Sequence, residues 1–467
     1  MDNAENAYES KLRECKVLVE KWSGVSHEDL PGVISPDEGR VNVMEGIESE
    51  RKRMLVAQLL ENVRKQIYGM DEATRMTQIG SYEKFIFPVI RAAYANLVLD
   101  ELVSVQPMDA RVGMVFYMDA IFDSTKGSVS RGDRMFHATA GPSDALHYAD
   151  EVVDAETVGT GNGSTSSFSG NLSWLPIIPG TVEFGDGSQE VSDDGNGNLQ
   201  GDCYSGGTIN YVTGAYSFQF LSAPADGATI TAAYQYNSEC VTPPAVAIQL
   251  TSSPVVARPH RLSAEWCVEA AQDLKSYHGM DAEAEITSFA ANEIQKEICY
   301  TVINQLYQSA GAGNVTWSRT PATGVQWYYH KKSFIDTILT ASGNIFQATQ
   351  RDQATWMCCG VSVGTLLKGM EEFKPSTVPS GTVGMRYIGD LVGIKVYECP
   401  FMSTNNFLLG RKGTSALDTG FIYAPYLGLF TTPTIMLQDM KARKGMMLSA
   451  AKKMTDSGQF ATGQVVA

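Results

Sequence analysis

Apolar residues recur at helical spacing through Leu12, Val19 and Trp22, and again through Leu55, Leu59, Leu60 and Val63. Between them "SHEDLPGVISPDEGR" is turn chemistry. The pattern predicts two amphipathic helices that bury little by themselves, so residues 1 to about 90 read as an arm rather than a core. Residues 83 to 125 run from a helix into a β-rich strand, "GMVFYMDAIF". Over residues 155 to 245 short β runs alternate with Gly, Asn and Asp turns, and Val212-Thr213-Gly214 carries a hairpin signal. That predicts an all-β module of about 90 residues set within the chain. "AVAIQLTSSPVVARPHRL" then resumes extended structure.

Residues 262 to 308 are expected to be helical in two pieces. The first stops at Gly279, a residue suited to a left-handed cap. The second starts at Asp281, a good N-cap. Its row of Ile286, Ala290, Ile294, Ile298, Val302 and Leu306 advances by four residues each time. Each such step turns about 40°, so the row winds around a helix of roughly 40 Å. A winding row predicts a central strut buried from several sides. "HKKSFIDTILTASGNIF" is another amphipathic helix. From residue 354, "ATWMCCG", "VSVGTLLKGMEEF", "GDLVGIKVYECP", "NNFLLGRKG" and "GFIYAPYLGLF" read as an α+β unit, and the tail from residue 431 is β-like with basic residues.

A chain of 467 residues exceeds one compact core, so two to four domains are expected. The net charge of −16 excludes nucleic-acid binding by bulk attraction. Eight cysteines are scattered without a CxxC pair or zinc spacing, which reads as reduced thiols in a cytosol. The acidic "MDNAENAYES" is no signal peptide, and no apolar run approaches the ~18 residues of a membrane span. A soluble protein made inside a cell is expected.

Positive signs of catalysis are thin. His278 with Asp281, Glu283 and Glu285 could sketch a metal or acid/base site, but carboxylates in a first helical turn are favoured by its unpaired N–H groups. A helix joint is the stronger reading. "DDGNGNLQGD" hints at a calcium loop through Asp194, Asn196 and Asn198, yet Leu199 and Ser205 stand where an EF-hand needs Gly and Glu. "GTGNGS" lacks the lysine and helix of a phosphate loop. Arg131-Gly132-Asp133 reads as coincidence. Ser143, Asp144 and His147 lie in one short loop, whereas triads assemble from distant segments. Lys441, Arg443, Lys444, Lys452 and Lys453 form the notable basic cluster; facing DNA is one reading, and a solvated or subunit-facing strand edge is the stronger one.

Three segments carry a family resemblance: "FPVIRAAYANLVLDELVSVQPMDARVGMVF", "AAQDLKSYHGMDAEAEITSFAANEIQKEI" and "GFIYAPYLGL". With the order of elements, they make the chain resemble the major capsid proteins of T-even-type tailed bacteriophages, which have the Hong Kong 97-type capsid fold. The likeness covers about residues 80 to 150 and 255 to 450. It implies an α+β capsid fold in four parts. These are an N-terminal arm (1–105), an extended loop (106–257) carrying the all-β insertion at 155–245, a peripheral domain with the spine helix (258–353 and 435–467), and an axial domain (354–434). The joint of the spine helix would involve Gly279, Asp281, Ile286, Ile294 and Ile298.

The resemblance further implies a non-enzymatic shell protein without cofactors, building hexamers and pentamers of itself, or with a closely related vertex protein. Its shell would be icosahedral, assembled in the bacterial host cytoplasm and part of the virion. Scaffold, portal and decoration proteins would be its partners, and double-stranded DNA would be enclosed without sequence-specific binding or a membrane. The family's prohead protease cuts after Glu in a Leu/Ile-x-Glu context. Glu61 after Leu59 fits, as do Glu14 and Glu20. Three residues make a weak motif, and an uncleaved arm is expected. The β insertion has no close counterpart in the family. Gly279 and the turns around Pro254 and Pro259 are candidate hinges. The competing readings are a tail tube or sheath subunit and a β-rich carbohydrate-binding protein.

Overall fold

The computed structural model describes residues 13–21, 50–71, 99–136, 147–376, 384–413, 418–436 and 441–466. The chain divides into two units, Met1–Met118 with Leu250–Ala467, and Asp119–Gln249.

The first unit is built on two sheets. In one, β1 (Ser104–Val105), β19 (Phe421–Thr431), β21 (Lys441–Met454) and β12 (Arg258–Cys267) lie side by side in that order, and β20 (Ile435–Met436) also pairs with β21. β21 is therefore a central strand, antiparallel to both neighbours. The other is a mixed seven-stranded sheet. Its order is β13 (Asn314–Ser318), β22 (Phe460–Val466), β18 (Asn406–Gly410), β14 (Trp356–Cys359), β17 (Ile394–Glu398), β16 (Arg386–Leu391) and β15 (Phe373–Pro375). β18 and β22 pack tightly because Gly463 has no side chain; a Cβ there would run into the Phe407 ring. A helical stretch over residues 13–21 and helices α1 (Glu50–Asp71), α2 (Leu99–Leu102), α3 (Val268–His278), α4 (Ala282–Ser309), α5 (Trp327–Thr349) and α6 (Val361–Lys368) also belong to the unit.

Two large clusters make up most of its core among the described residues. One joins Leu55, Leu59 and Leu60 of α1, Ile294, Ile298, Val302 and Leu306 of α4, and Phe421, Tyr423, Met446 and Leu448 of the first sheet. The other joins Phe334, Ile338 and Ile345 of α5 with Met357, Val396, Phe407 and Leu409 of the second sheet. A further two-stranded sheet pairs β2 (Val112–Phe122) with β11 (Val246–Val256).

The second unit holds an eight-stranded antiparallel sheet. The order is β3 (Val152–Thr160), β10 (Thr229–Gln235), β5 (Glu183–Gly185), β6 (Glu190–Asp193), β7 (Asn198–Gly201), β8 (Gly207–Ile209), β9 (Ala215–Gln219) and β4 (Ser167–Asn171). Its terminal strands come close, since the Phe168 ring of β4 sits against Gly159 of β3. The interior is filled by Phe184, Tyr216, Phe218, Phe220, Ile230 and Tyr234. The turn after Val212-Thr213 is closed by Gly214 at φ 70°, a conformation open chiefly to glycine.

Several sequence expectations are corrected. Leu262–Cys267 is strand, not helix, because it pairs residue by residue with Met446 to Lys441. α1 belongs to the core at Leu55–Leu60 instead of lying outside it. The basic tail is no sheet edge, and Lys444 is buried. Pro254 and Pro259 lie inside β11 and β12, not in turns. Proline is tolerated where a strand has an open side, and β12 ends its sheet.

Candidate assembly surfaces

α3 ends where Gly279 takes φ 67° and ψ 13°, with its N–H donating to the Lys275 carbonyl at 3.1 Å. A Cβ there would meet nothing within 4 Å, so the backbone conformation alone calls for glycine. Two residues on, the Asp281 carboxylate accepts the Glu283 N–H at 3.0 Å and opens α4. Glu283 turns away from the cap. Its carboxylate accepts from Lys444 Nζ and from the Thr434 hydroxyl, each at 2.8 Å. Partial burial disfavours the charged carboxylate, but the hydrogen bonds from Lys444 and Thr434 outweigh this and hold its pKa below the ordinary value. The joint is thereby pinned to β21.

Beyond the joint, Ile286 is half-buried, and Ala290, Ile294, Ile298, Val302 and Leu306 are buried. This helix packs against β12, β21 and β22. The opposite side of α4 is open, with Phe289 67% exposed and Tyr300 45% exposed. Within the subunit the strut is thus covered on one winding side, not on several. His278 is not brought together with Asp281, Glu283 and Glu285 as a ligand set. Among the described residues no three His, Cys, Asp or Glu side chains are placed to hold a metal.

The other sequence candidates have local roles. Asp194 accepts the N–H groups of Asn196 and Asn198 in the β6–β7 turn. Arg131 pairs with Asp123 at 2.8 Å. Ser143 and Asp144 lie outside the described residues, and His147 contacts Asp150 at 2.6 Å and Asp154 at 3.5 Å. The Asp150 hydrogen bond raises the His147 pKa. Glu61 lies inside α1, paired with Lys21 at 2.8 Å. Next to it Asn62 is buried and donates to the carbonyls of Met108 and Tyr426 at 2.8 and 2.6 Å.

Sequence reasoning missed Lys126. Its buried ammonium donates to the carbonyls of His147, Tyr148 and Asp150 at 2.7, 3.2 and 2.5 Å and lies 5.1 Å from the Tyr236 ring centre. Burial lowers its pKa, against the pull of Asp150 and Asp154. A lysine in a polar stretch gives no sequence signal of such a cage.

The surfaces that stand out are open strands and exposed apolar side chains. The β2/β11 pair leaves Val112, Met114, Val246, Ile248 and Val256 exposed. One side of the ribbon is covered within the subunit, where Val115 and Val255 pack with Ile422, Ala424 and Ala451. Open edges and uncovered apolar residues are the kind of surface on which protein chains associate laterally. The family model for the major capsid protein Gp23 matches residues 79–461, and the chain belongs to that family. It is a structural virion protein, not an enzyme, and self-assembles into the phage head shell. The major capsid protein of Enterobacteria phage T4 is 25% identical over 395 residues, which span 76% of this chain and 71% of that one. Among solved structures, the capsid of Myoviridae phage XM1 aligns at a TM-score of 0.31 and 7% identity, covering 50% of this chain and 81% of that chain. The capsid of the native GTA particle aligns at 0.34 and 10%, covering 50% and 80%. Family membership rests on the sequence match.

Proposed function

We propose that the chain tiles the head as hexamers and pentamers on the Hong Kong 97-type plan, with the pentamers made of the same chain or of a closely related vertex protein. The parts are the arm (1–105), the extended loop (106–257), the peripheral domain (258–353 and 435–467) and the axial domain (354–434). The sheets thread across the last boundary, since β19 pairs with β21 and β22 pairs with β18. In this reading the joint at Gly279, Asp281, Ile286, Ile294 and Ile298 sets the bend of the spine. The observation that carries the proposal is the β2/β11 ribbon, whose uncovered apolar residues need a neighbouring subunit beneath them. Many modest contacts of this kind add up in a closed shell.

Packaged DNA would be enclosed without adhesion. Residues 119–249 hold 16 acidic and 3 basic side chains, a net −13 of the chain's −16. Scaffold, portal and decoration proteins complete the proposed partners. The arm is proposed to stay attached, because Leu59 and Leu60 on the acyl side of Glu61 are fully buried. A Glu-specific protease should cut the folded chain at exposed Glu239 well before Glu61; prompt release of residues 1–61 would overturn the attached arm.

The test of the main reading is electron microscopy of the full chain carrying Met114→Asp with Ile248→Asp. Both residues are exposed, so folding should survive while hexamers and shells are lost. Normal shells from that variant would defeat the role given to the ribbon. Tubes from the unaltered chain would defeat the head-shell plan itself.

A further inference from the structure

β12 is an open edge of the first sheet. Its inner side pairs with β21 along all 10 of its residues, and no strand among the described residues pairs with its outer side. A free edge of this length, about 33 Å, presents a row of unpaired N–H and C=O groups that can accept one more strand. Successive residues of β12 point to opposite faces. Leu262 and Ala264 lie across from Met446 and Lys444 of β21, on the face that packs against α4. Arg261, Ser263 and Glu265 lie across from Met447, Gly445 and Arg443, on the other face.

That other face holds a groove of about 540 Å³, with Arg261 and Arg443 among its lining residues beside Phe430, Ile435 and Met447. Arg261 is exposed, and Ile435 is 60% exposed. Arg443 contacts Glu265 at 3.2 Å and donates to the Ser263 hydroxyl at 3.4 Å. Arg261 has no ion pair among the described residues. Two guanidinium groups beside one carboxylate leave this face cationic, on a chain whose net charge is −16. Arginine favours carboxylates, which its planar donors can grip in pairs.

We infer that β12 takes up an extended acidic segment of a different protein, which adds a strand to the sheet and sets its carboxylates against Arg261 and Arg443. The edge dictates the occupant's shape, because only an extended backbone satisfies a strand edge. Charge dictates its composition: alternate residues are acidic on the arginine side and apolar beside Leu262, which is 38% exposed. A second copy of this chain has no such strand among its described open edges. β11 holds no charged residue, and the one acid of β2, Asp119, is paired with Arg134 at 3.2 Å. β13 and β15, which end the seven-stranded sheet, hold no acid. The terminal strands of the eight-stranded sheet face one another. The inference rests on the shell reading only in that a shell subunit has protein partners; it does not depend on hexamers or pentamers.

The test uses the full chain and a fluorescein-labelled decapeptide of alternating glutamate and valine, with binding read by fluorescence anisotropy. Binding is expected, and it should weaken about tenfold as salt rises from about 50 to about 500 mM. Arg261→Glu leaves the Arg443–Glu265 pair in place and the unfolding midpoint unchanged, and should also weaken binding about tenfold. Methylating the peptide's backbone nitrogens should abolish binding, because the added strand loses its donors. No binding up to about 1 mM, equal binding of a lysine–valine decapeptide, or equal binding to Arg261→Glu would overturn the inference and leave the shell reading intact. With a benzophenone photo-crosslinking residue in place of Ser263, illumination of the chain mixed with the decapeptide should link residue 263 to the peptide. A link to a second copy of the chain in its place would also overturn the inference.

Discussion

Replacing Ile294 by alanine isolates what the winding stripe of α4 contributes. The side chain is 2% exposed and sits in the cluster shared by α1, α4 and the first sheet. Truncation removes three carbons, about 2.4 kcal/mol at 0.8 per buried methylene, and the cavity left behind brings the loss to about 3 kcal/mol. The neighbours in line, Ala290 and Ile298, are one turn away on the same helix and cannot swing in to refill the space. Two units need not unfold together, so the probe must report on the first unit. Trp174 is the one tryptophan of residues 119–249, so in a Trp174→Phe background fluorescence during urea unfolding reports on the first unit, where Trp356 is buried. Phe289→Ala, on the open side of the same helix, is the control and should change stability by less than about 0.5 kcal/mol. Ile294→Asp, which strands a charge in the cluster, should yield no soluble subunit. A loss below about 1 kcal/mol for the alanine variant would refute the reasoning, as would normal shells from the aspartate variant.

Asp281→Ala should cost about 1 kcal/mol, read as a lower unfolding midpoint, with Asp281→Asn restoring most of it. The contribution of Glu283 should depend on pH. Its folded pKa lies below the unfolded value, so its stabilisation is complete above about pH 4.5 and fades as pH falls through the folded pKa. The gap in stability between the unaltered chain and Glu283→Gln should shrink on acidification from about pH 7 to 3; a constant gap would exclude the Lys444 pairing as its source. Lys126→Met should destabilise residues 119–249 by about 2–4 kcal/mol, because three carbonyls lose their buried donor. Calorimetry resolving the two units would check this, and a loss confined to the first unit would contradict it.

The helix joint could be read from sequence because its signals are local. A glycine that must adopt positive φ and an aspartate that caps act on their own few residues. The β module was legible for the same reason, through turn residues at short spacing. Misread parts depended on distant partners. "LSAEWC" has helix-forming residues, but ten consecutive pairings with β21 outweigh that weak preference. Lys444 appeared to belong to a basic strand edge because its partner Glu283 stands 161 residues earlier. α1 read as an arm because the surface that buries it comes from the far end of the sequence. The proposed domain boundaries at 105, 257, 353 and 434 have no comparable local signal.

That last separation bears on how the polypeptide is made. Asn62 donates to the carbonyl of Tyr426, 364 residues downstream. At 5–20 residues per second a ribosome takes roughly 20–70 s to cover that distance. Throughout it, Leu55, Leu59 and Leu60 await the strand that will shield them, whereas residues 119–249 emerge as one contiguous stretch able to collapse early. Newly synthesised chains therefore pass through a long interval with a finished middle and sticky ends, crowded among identical siblings. Anything that binds apolar peptide reversibly during that interval would raise the yield of usable protein without altering the final product.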